Sequence, residues 1–115
     1  MRTDHLLLED MFEAIVEVIE NTPEERLNFD SNKLLKSHII RNIQIVGEAA
    51  VRLSKEIKEA NPQVPWRQIV GMRHAIVHDY FEIDWNVVYD TARHDIPSLK
   101  PLIAEMIATS RQNDA

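Results

Sequence analysis

The chain has 115 residues, a formal net charge of −6 and a hydrophobic fraction of 44%, which together fit one globular domain. The lack of cysteine excludes disulfides and thiolate metal sites. Because the chain has only two glycines, a fold of many strands joined by tight turns is disfavoured. The acidic balance argues against a general, charge-driven hold on nucleic acid, so any RNA contact requires a local basic pocket. The N-terminus contains acidic residues throughout and predicts neither a signal peptide nor a membrane span; we expect a cytoplasmic protein.

The first predicted helix begins after Thr3, whose hydroxyl can cap a helix. Apolar residues then recur every three or four positions, as in a helix with one buried face: Leu8, Met11, Phe12, Ile15, Val18 and Ile19. The sequence Asn21-Thr22-Pro23 ends this helix, and the segment 23–30 is interpreted as a connecting loop.

A second, unusually long helix is predicted from Asp30 or Ser31 to Ala60, where Asn61-Pro62 ends it. Roughly thirty residues at 1.5 Å each would form a rod of about 45 Å. Apolar residues on this helix alternate spacings of four and three, which is a heptad pattern: Ile39, Ile43, Val46, Ala50, Leu53 and Ile57. The pattern fits either the core of a helical bundle or a seam between two subunits.

A third helix is predicted from Trp66 to about Tyr80, and a fourth begins at Asp84, a good N-cap residue. Pro97 predicts a break or kink near Asp95-Ile96, since proline costs about 3 kcal/mol inside a helix. A final helical segment carries the apolar residues Leu99, Leu102, Ile103, Met106 and Ile107.

These elements predict an all-α fold, a four- to five-helix up-and-down bundle. We expect one domain over residues 1–109 and a frayed tail over residues 110–115. The two tryptophans, Trp66 and Trp85, are expected to lie in the core.

The third helix carries an arginine on its apolar side. At 100° per residue, Arg73 lies about 40° from Ile69, inside the apolar arc. A buried arginine needs an acidic partner or a cleft, because its pKa is too high for it to lose its charge. Glu48 and Glu56 of the second helix are candidate partners.

Two histidines follow this arginine, and three kinds of chemistry could use them. His74 and His78 share a helix face, as two metal ligands would. However, residue 75 is alanine where a zinc hydrolase of the HExxH type has glutamate, and no third ligand is evident. A serine-type site lacks a convincing serine and an oxyanion turn.

Metal-free cleavage of a phosphodiester is the third chemistry. A histidine titrating near neutral pH can take a proton from a ribose 2′-hydroxyl or give one to the leaving oxygen. Arginine can hold the phosphate and offset its developing charge. Since the reaction needs both an acid and a base, two chains related by a dyad would supply two histidines. The spacing alone also fits a capped helix end with an exposed histidine and a paired arginine.

The whole pattern resembles a known family. The segment Arg73-His74-Ala75-Ile76-Val77-His78-Asp79-Tyr80 matches the Arg-x4-His-x-Tyr motif of HEPN-domain toxins, in the HepT-like branch. Further blocks are similar to that branch in order and spacing, at 40–43, 46–50, 65–66, 71–73, 80–81 and 83–84. The resemblance covers residues 3–107.

The resemblance implies a homodimeric helical bundle in which the two motifs face each other across a cleft. It implies a metal-independent endoribonuclease without a cofactor, acting as the toxin of a type II or type VII-like toxin–antitoxin system. The implied partner is a cognate minimal nucleotidyltransferase antitoxin of the MNT type, which AMPylates the motif tyrosine, here Tyr80. Added AMP would place bulk and negative charge at the RNA site.

The motif positions carry their roles over by the same resemblance. Arg73 would bind and stabilise the phosphate, His78 would be the acid or base, and Tyr80 would be modified. His74 and Asp79 would contact RNA or the partner.

Three residues of the second helix are further candidates to line the cleft: Arg41, Asn42 and Glu48. Packing or a buried ion pair is an equally good explanation for them.

A different function also stays open, that of a non-catalytic helical subunit that docks a nucleotidyltransferase. The net charge favours this alternative, and the intact set of Arg73, His78 and Tyr80 disfavours it.

Overall fold

The structure is a computed structural model that describes residues 2–76 and 82–114, and for residues 73, 75 and 112–114 it describes the backbone alone. Within these ranges the regular elements are helical, as the sequence predicted. They are α1 (Asp4–Asn21), α2 (Arg26–Asp30), α3 (Lys33–Arg52), α4 (Lys55–Glu59), α5 (Trp66–Ile76), α6 (Trp85–Asp90), a π-helical turn (Thr91–Asp95) and α7 (Ile96–Asp114). Over the same residues, no helix has the length and apolarity that a bilayer span requires.

Four longer helices, α1, α3, α5 and α7, form the bundle around one core. The largest fully buried side chains come from these helices and from α2: Leu8, Met11, Ile15, Val18, Phe29, Ile39, Ile43, Ile69, Ile76, Ile96, Leu99 and Ile103. The heptad residues of α3 from Ile39 to Leu53 are buried here. That pattern therefore serves the core of the single chain, which is the first of the two alternatives given above.

The second predicted helix is shorter than expected, and the prediction of one continuous rod is wrong. α3 ends at Arg52, and the buried Leu53 has an extended backbone. The Ser54 hydroxyl accepts the Ile57 N–H at 3.2 Å, so it caps a new helix, α4. Ser54 also donates its N–H and its hydroxyl to the Asp4 carboxylate, at 2.9 and 2.6 Å. This bond to the start of α1 fixes the break, and no local pattern indicates it.

The segment 23–30, predicted as a loop, contains the short helix α2. Its turn buries Phe29, whose ring centroid lies 5.0 Å from that of Tyr89 and 6.1 Å from that of Trp85. The pair of Arg26 and Asp30, at 2.9 Å, also closes one helical turn. Helix formation here follows from the burial of one aromatic ring.

Both tryptophans pack against the core and are partly buried.

No break follows α6, because the π turn joins it to α7 without interruption. The Ile96 N–H donates to the Thr91 carbonyl, five residues back. Since Pro97 has no N–H and its ring crowds the preceding turn, the wider π turn accommodates it without ending the helix. Of the break or kink predicted near residues 95–96, the break is thus wrong, and the departure from α-helical geometry at this place is the π turn.

The last turns of α7 are held against α1. Arg111 lies 3.3 Å from Glu9, and the His5 ring lies 3.1 Å from the Ser110 hydroxyl. Helical backbone continues to Asp114, through most of the segment where the sequence predicted a frayed tail.

We expect Ser54→Ala to lower the free energy of unfolding by about 1 kcal/mol, because it removes a helix cap and one hydrogen bond to Asp4. Urea unfolding followed by circular dichroism measures the change. Ser54→Thr keeps the hydroxyl and is the matched control. An alanine variant as stable as the wild type would contradict this account of the α3–α4 break.

Candidate functional site

α5, which carries the first part of the motif, is positioned by its buried face. The helix begins at Trp66, as predicted, and the indole N–H donates to the Asn61 carbonyl at 3.0 Å. Ile69, Met72 and Ile76 are buried, and the helix packs against α3 and α6. The apolar arc predicted for this helix is therefore the face that enters the core.

The motif arginine belongs to this helix. Arg73 follows the buried Met72, within the last turn of α5. His78, Asp79 and Tyr80 lie outside the described residues, so the predicted continuation of the helix to Tyr80 and the roles of these three residues stay predictions.

The helices that flank the motif segment are joined directly. At the end of α5, the Ile76 carbonyl accepts the Asp84 N–H at 2.8 Å. The Asp84 carboxylate accepts the N–H groups of Asn86 and Val87, at 3.1 and 3.2 Å, which confirms it as the N-cap of α6. The chain thus leaves α5 and enters α6 at one place in the fold.

A positive charge lies beside this junction. The Lys36 ammonium, from the second turn of α3, is 4.9 Å from the ring centroid of Trp85, the first residue of α6. On α5 itself, His74 and Arg67 are exposed. In a chain of net charge −6, Lys36 is thus one cation placed beside the motif segment.

The three candidate residues of α3 have different surroundings. Arg41 is exposed, and it lines a groove of about 420 Å³ between α1 and α3 together with the half-exposed Glu48. The Glu48 carboxylate accepts from Arg52 at 3.1 Å. Asn42 is buried and donates to the backbone carbonyl of His38 at 2.9 Å. The structure therefore brings Arg41 and Glu48 to one groove and places Asn42 in the packing of α3.

A second groove, of about 460 Å³, lies between α5 and the π turn and was not anticipated from the sequence. Its wall includes Gly71 and Met72 of α5 and Thr91 and Asp95 of the π turn. Nothing lies within 4 Å of where a Gly71 side chain would begin. The turn of α5 that precedes Arg73 is therefore open on this side, while α3 covers the other.

Tyr89 and His38, to which the sequence assigned no chemistry, have structural partners. The Tyr89 hydroxyl donates to the carbonyls of Pro23 and Glu24, at 2.7 and 2.8 Å. His38 lies 2.9 Å from Glu17 and so links α3 to α1. A partner far away in the sequence leaves no local signal, which is why both contacts were missed.

The chain is similar to known proteins over most of its length. Residues 9–106 match the family model described as Ribonuclease HepT-like. The chain is 39% identical over 95 residues to the protein named Probable ribonuclease HepT of Thermococcus cleftensis, a match that covers 81% of this chain and 86% of that protein. It is 33% identical over 101 residues to a candidate RNase of Methanocaldococcus jannaschii, covering 87% and 84% of the two chains.

A candidate RNase of Caldanaerobacter subterraneus is 31% identical over 104 residues, covering 90% of this chain and 89% of that protein. No solved structure matches the chain. The family match extends from α1 into α7 and includes every residue of the motif from Arg73 to Tyr80. The chain therefore belongs to the HepT-like ribonuclease family.

Proposed function

We propose that this protein cleaves RNA without a metal ion, as the toxin of a toxin–antitoxin pair, and that Arg73 and His78 are its catalytic residues. The observation that carries the proposal is the complete motif inside the matched region, whose first residues lie on α5, a helix with a buried face. A rigid helix with a buried face is a suitable support for a phosphate-binding arginine, because it fixes the direction of the side chain.

The proposed reaction uses the ribose 2′-hydroxyl as the nucleophile. A histidine takes the proton of this hydroxyl, the 2′-oxygen forms a bond to phosphorus, and the bond to the 5′-oxygen breaks. The leaving 5′-oxygen receives a proton from a second acid, so the products are a 2′,3′-cyclic phosphate and a 5′-hydroxyl. Arg73 would hold the phosphate through two parallel hydrogen bonds and stabilise its charge in the transition state.

The need for two proton-transfer groups supports a homodimer. The motif contributes one histidine, His78, in the position of the acid or base. A second copy, related by a two-fold axis, would bring another His78 to the same cleft. His74 and Asp79 would then contact RNA or the partner, with Arg41 and Glu48 near the edge of the site.

Regulation by AMPylation of Tyr80 is the second part of the proposal. The antitoxin would be a minimal nucleotidyltransferase that transfers AMP to the phenol oxygen. The chain has two tyrosines. Tyr89 is 9% exposed, and its hydroxyl is bonded to two backbone carbonyls. Its burial makes it a poor acceptor, which supports Tyr80 as the target.

A non-catalytic subunit that docks the nucleotidyltransferase is the alternative function. The acidic net charge of −6 favours it, since RNA is a polyanion. Both functions require the same enzyme as a partner, so binding to that enzyme does not distinguish them. Only RNA cleavage does.

We expect the purified wild type, unmodified at Tyr80, to cleave a labelled RNA in the presence of EDTA and to leave 2′,3′-cyclic phosphate ends. His78→Ala should lose most of this activity, by about 100-fold or more, because it removes the proton-transfer group. His94→Ala is the matched control, since His94 is exposed and outside the motif. Mass analysis of the RNA ends measures the outcome. No cleavage by the unmodified wild type would support the non-catalytic subunit instead.

We further expect the cognate nucleotidyltransferase, with ATP, to add the mass of AMP to the wild type and to stop RNA cleavage. Tyr80→Phe should gain no mass, because it lacks the acceptor oxygen. Tandem mass spectrometry locates the added group. Modification found on Tyr89, or modified protein that still cleaves RNA, would contradict this regulatory role.

A further inference from the structure

The groove between α5 and the π turn contains a buried threonine whose hydroxyl has no partner among the described residues. Thr91 is 5% exposed, and it lines the groove. Among the described side chains, no fully buried oxygen or nitrogen lacks a hydrogen-bond partner, so the Thr91 hydroxyl must reach the groove. Because a nearly buried hydroxyl without a partner is unfavourable, this position indicates a polar group that approaches from the groove.

Gly71, on the α5 wall of the groove, gives a second and independent indication of a ligand. Glycine inside a helix is less favourable than alanine. Nothing lies within 4 Å of where a Gly71 side chain would begin, so no described neighbour requires a glycine at this position. The missing side chain instead lets another molecule approach the backbone of α5 closely.

The rest of the groove combines apolar walls with a few polar groups. Met72 lies on the α5 wall, and Val87 and Leu99 lie on the other, where they can contact the two faces of a planar ring. Gln68 and Asp95 add an exposed amide and an exposed carboxylate. A volume of about 460 Å³ with this kind of lining is typical of a site for a small organic group.

The charge of the groove selects an uncharged ring over a phosphate. Its described lining includes one carboxylate, that of Asp95, and no lysine, arginine or histidine. A phosphate would be repelled by this carboxylate, whereas a neutral nucleobase would not. In single-stranded RNA, a base can turn away from its neighbours and enter a pocket that binds its edge. The groove therefore suits the base of a nucleotide whose phosphate lies outside it.

We propose that this groove binds a guanine base of the RNA beside the phosphate held by Arg73, a role that rests on the proposed function. Guanine has two adjacent donors, the N1–H and the N2 amino group, and the two oxygens of the Asp95 carboxylate can accept them together. The neighbouring O6 is an acceptor, to which the Thr91 hydroxyl or the Gln68 amide can donate. Adenine, cytosine and uracil lack this pair of adjacent donors.

The groove lies directly beside the backbone of the motif arginine. Gly71 and Met72 line it, and Arg73 is the next residue of α5. A base in the groove and a phosphate at Arg73 would therefore belong to the same nucleotide or to adjacent ones. The Ser98 hydroxyl donates to the Asp95 backbone carbonyl at 2.6 Å and so fixes the backbone at the carboxylate. Asp95 would select the nucleotide, while Arg73 and His78 carry out the reaction.

Replacement of guanosine by inosine tests the groove, because inosine lacks only the N2 amino group. Labelled 2′-deoxy oligonucleotides have no 2′-hydroxyl nucleophile, so they report binding without cleavage. We expect the wild type to bind the guanosine form about 10-fold more tightly than the inosine form, measured by fluorescence anisotropy. Asp95→Asn should abolish this difference, because an amide offers one acceptor atom in place of two. Asp90→Asn, an exposed aspartate outside the groove, is the matched control and should preserve it.

Two further variants separate binding from folding. Gly71→Leu places a side chain in the groove without a clash, so it should remove the preference for guanosine without lowering the free energy of unfolding. Ala108→Leu, at an exposed position of α7, is its matched control. Thr91→Val should weaken binding of both oligonucleotides by several-fold and should not destabilise the fold, since its hydroxyl has no described partner to lose. Urea unfolding measures the stability of each variant.

Equal binding of the guanosine and inosine forms by the wild type would overturn the proposal. A preference that survives both Asp95→Asn and Gly71→Leu would do the same. If guanosine monophosphate binds as tightly as the oligonucleotide, the occupant is a free nucleotide, and the assignment to RNA is wrong. RNA cleavage by the wild type is measured separately. Cleavage without a preference for guanosine contradicts only the role of the groove, and guanosine-selective binding without cleavage contradicts only the ribonuclease.

Discussion

The burial of one side of α3 between α1 and α5 is the constraint on which the site depends. Ile39, Val46 and Ala50 have no exposed surface, and Ile43 has 1%. Each large aliphatic side chain of this kind contributes roughly 1.5–3 kcal/mol when fully buried, so rotating α3 about its axis would be very unfavourable. α5 packs on this fixed surface, and that contact sets the position of the α5 backbone that carries Arg73. The orientation that buries one side of α3 leaves Leu34 and Val51 exposed to solvent.

The parts of the fold that the sequence predicted are those decided within one or two helical turns. Thr3 and Asp84 cap their helices through bonds to amides two or three residues ahead, and such bonds are visible in the order of residues. The break at Ser54 depends instead on Asp4, fifty residues away. α2 forms because Phe29 packs against rings from α6. Contacts of this range have no local signature, which explains why the long rod and the loop were predicted wrongly.

In the candidate site, too, some features were visible in the local sequence and others required the structure. The motif and its family were read from the sequence, because the match depends on residue identities and spacing. Among the residues of α3, the structure was needed to separate Arg41 and Glu48, which share a groove, from Asn42, which is buried against its own helix. A positive group beside the α5–α6 junction, Lys36, was also missed, since its contact with Trp85 joins distant segments.

The central claim, that two chains complete one ribonuclease site, is tested most directly by mixing the wild type with His78→Ala under free subunit exchange and measuring RNA cleavage. If one cleft uses both histidines, only dimers of two wild-type chains are active. An equal mixture then retains about one quarter of the activity that pure wild type has at the same total protein concentration. The account predicts this quadratic loss. A linear loss, to about one half, would show that each chain works alone and would contradict it.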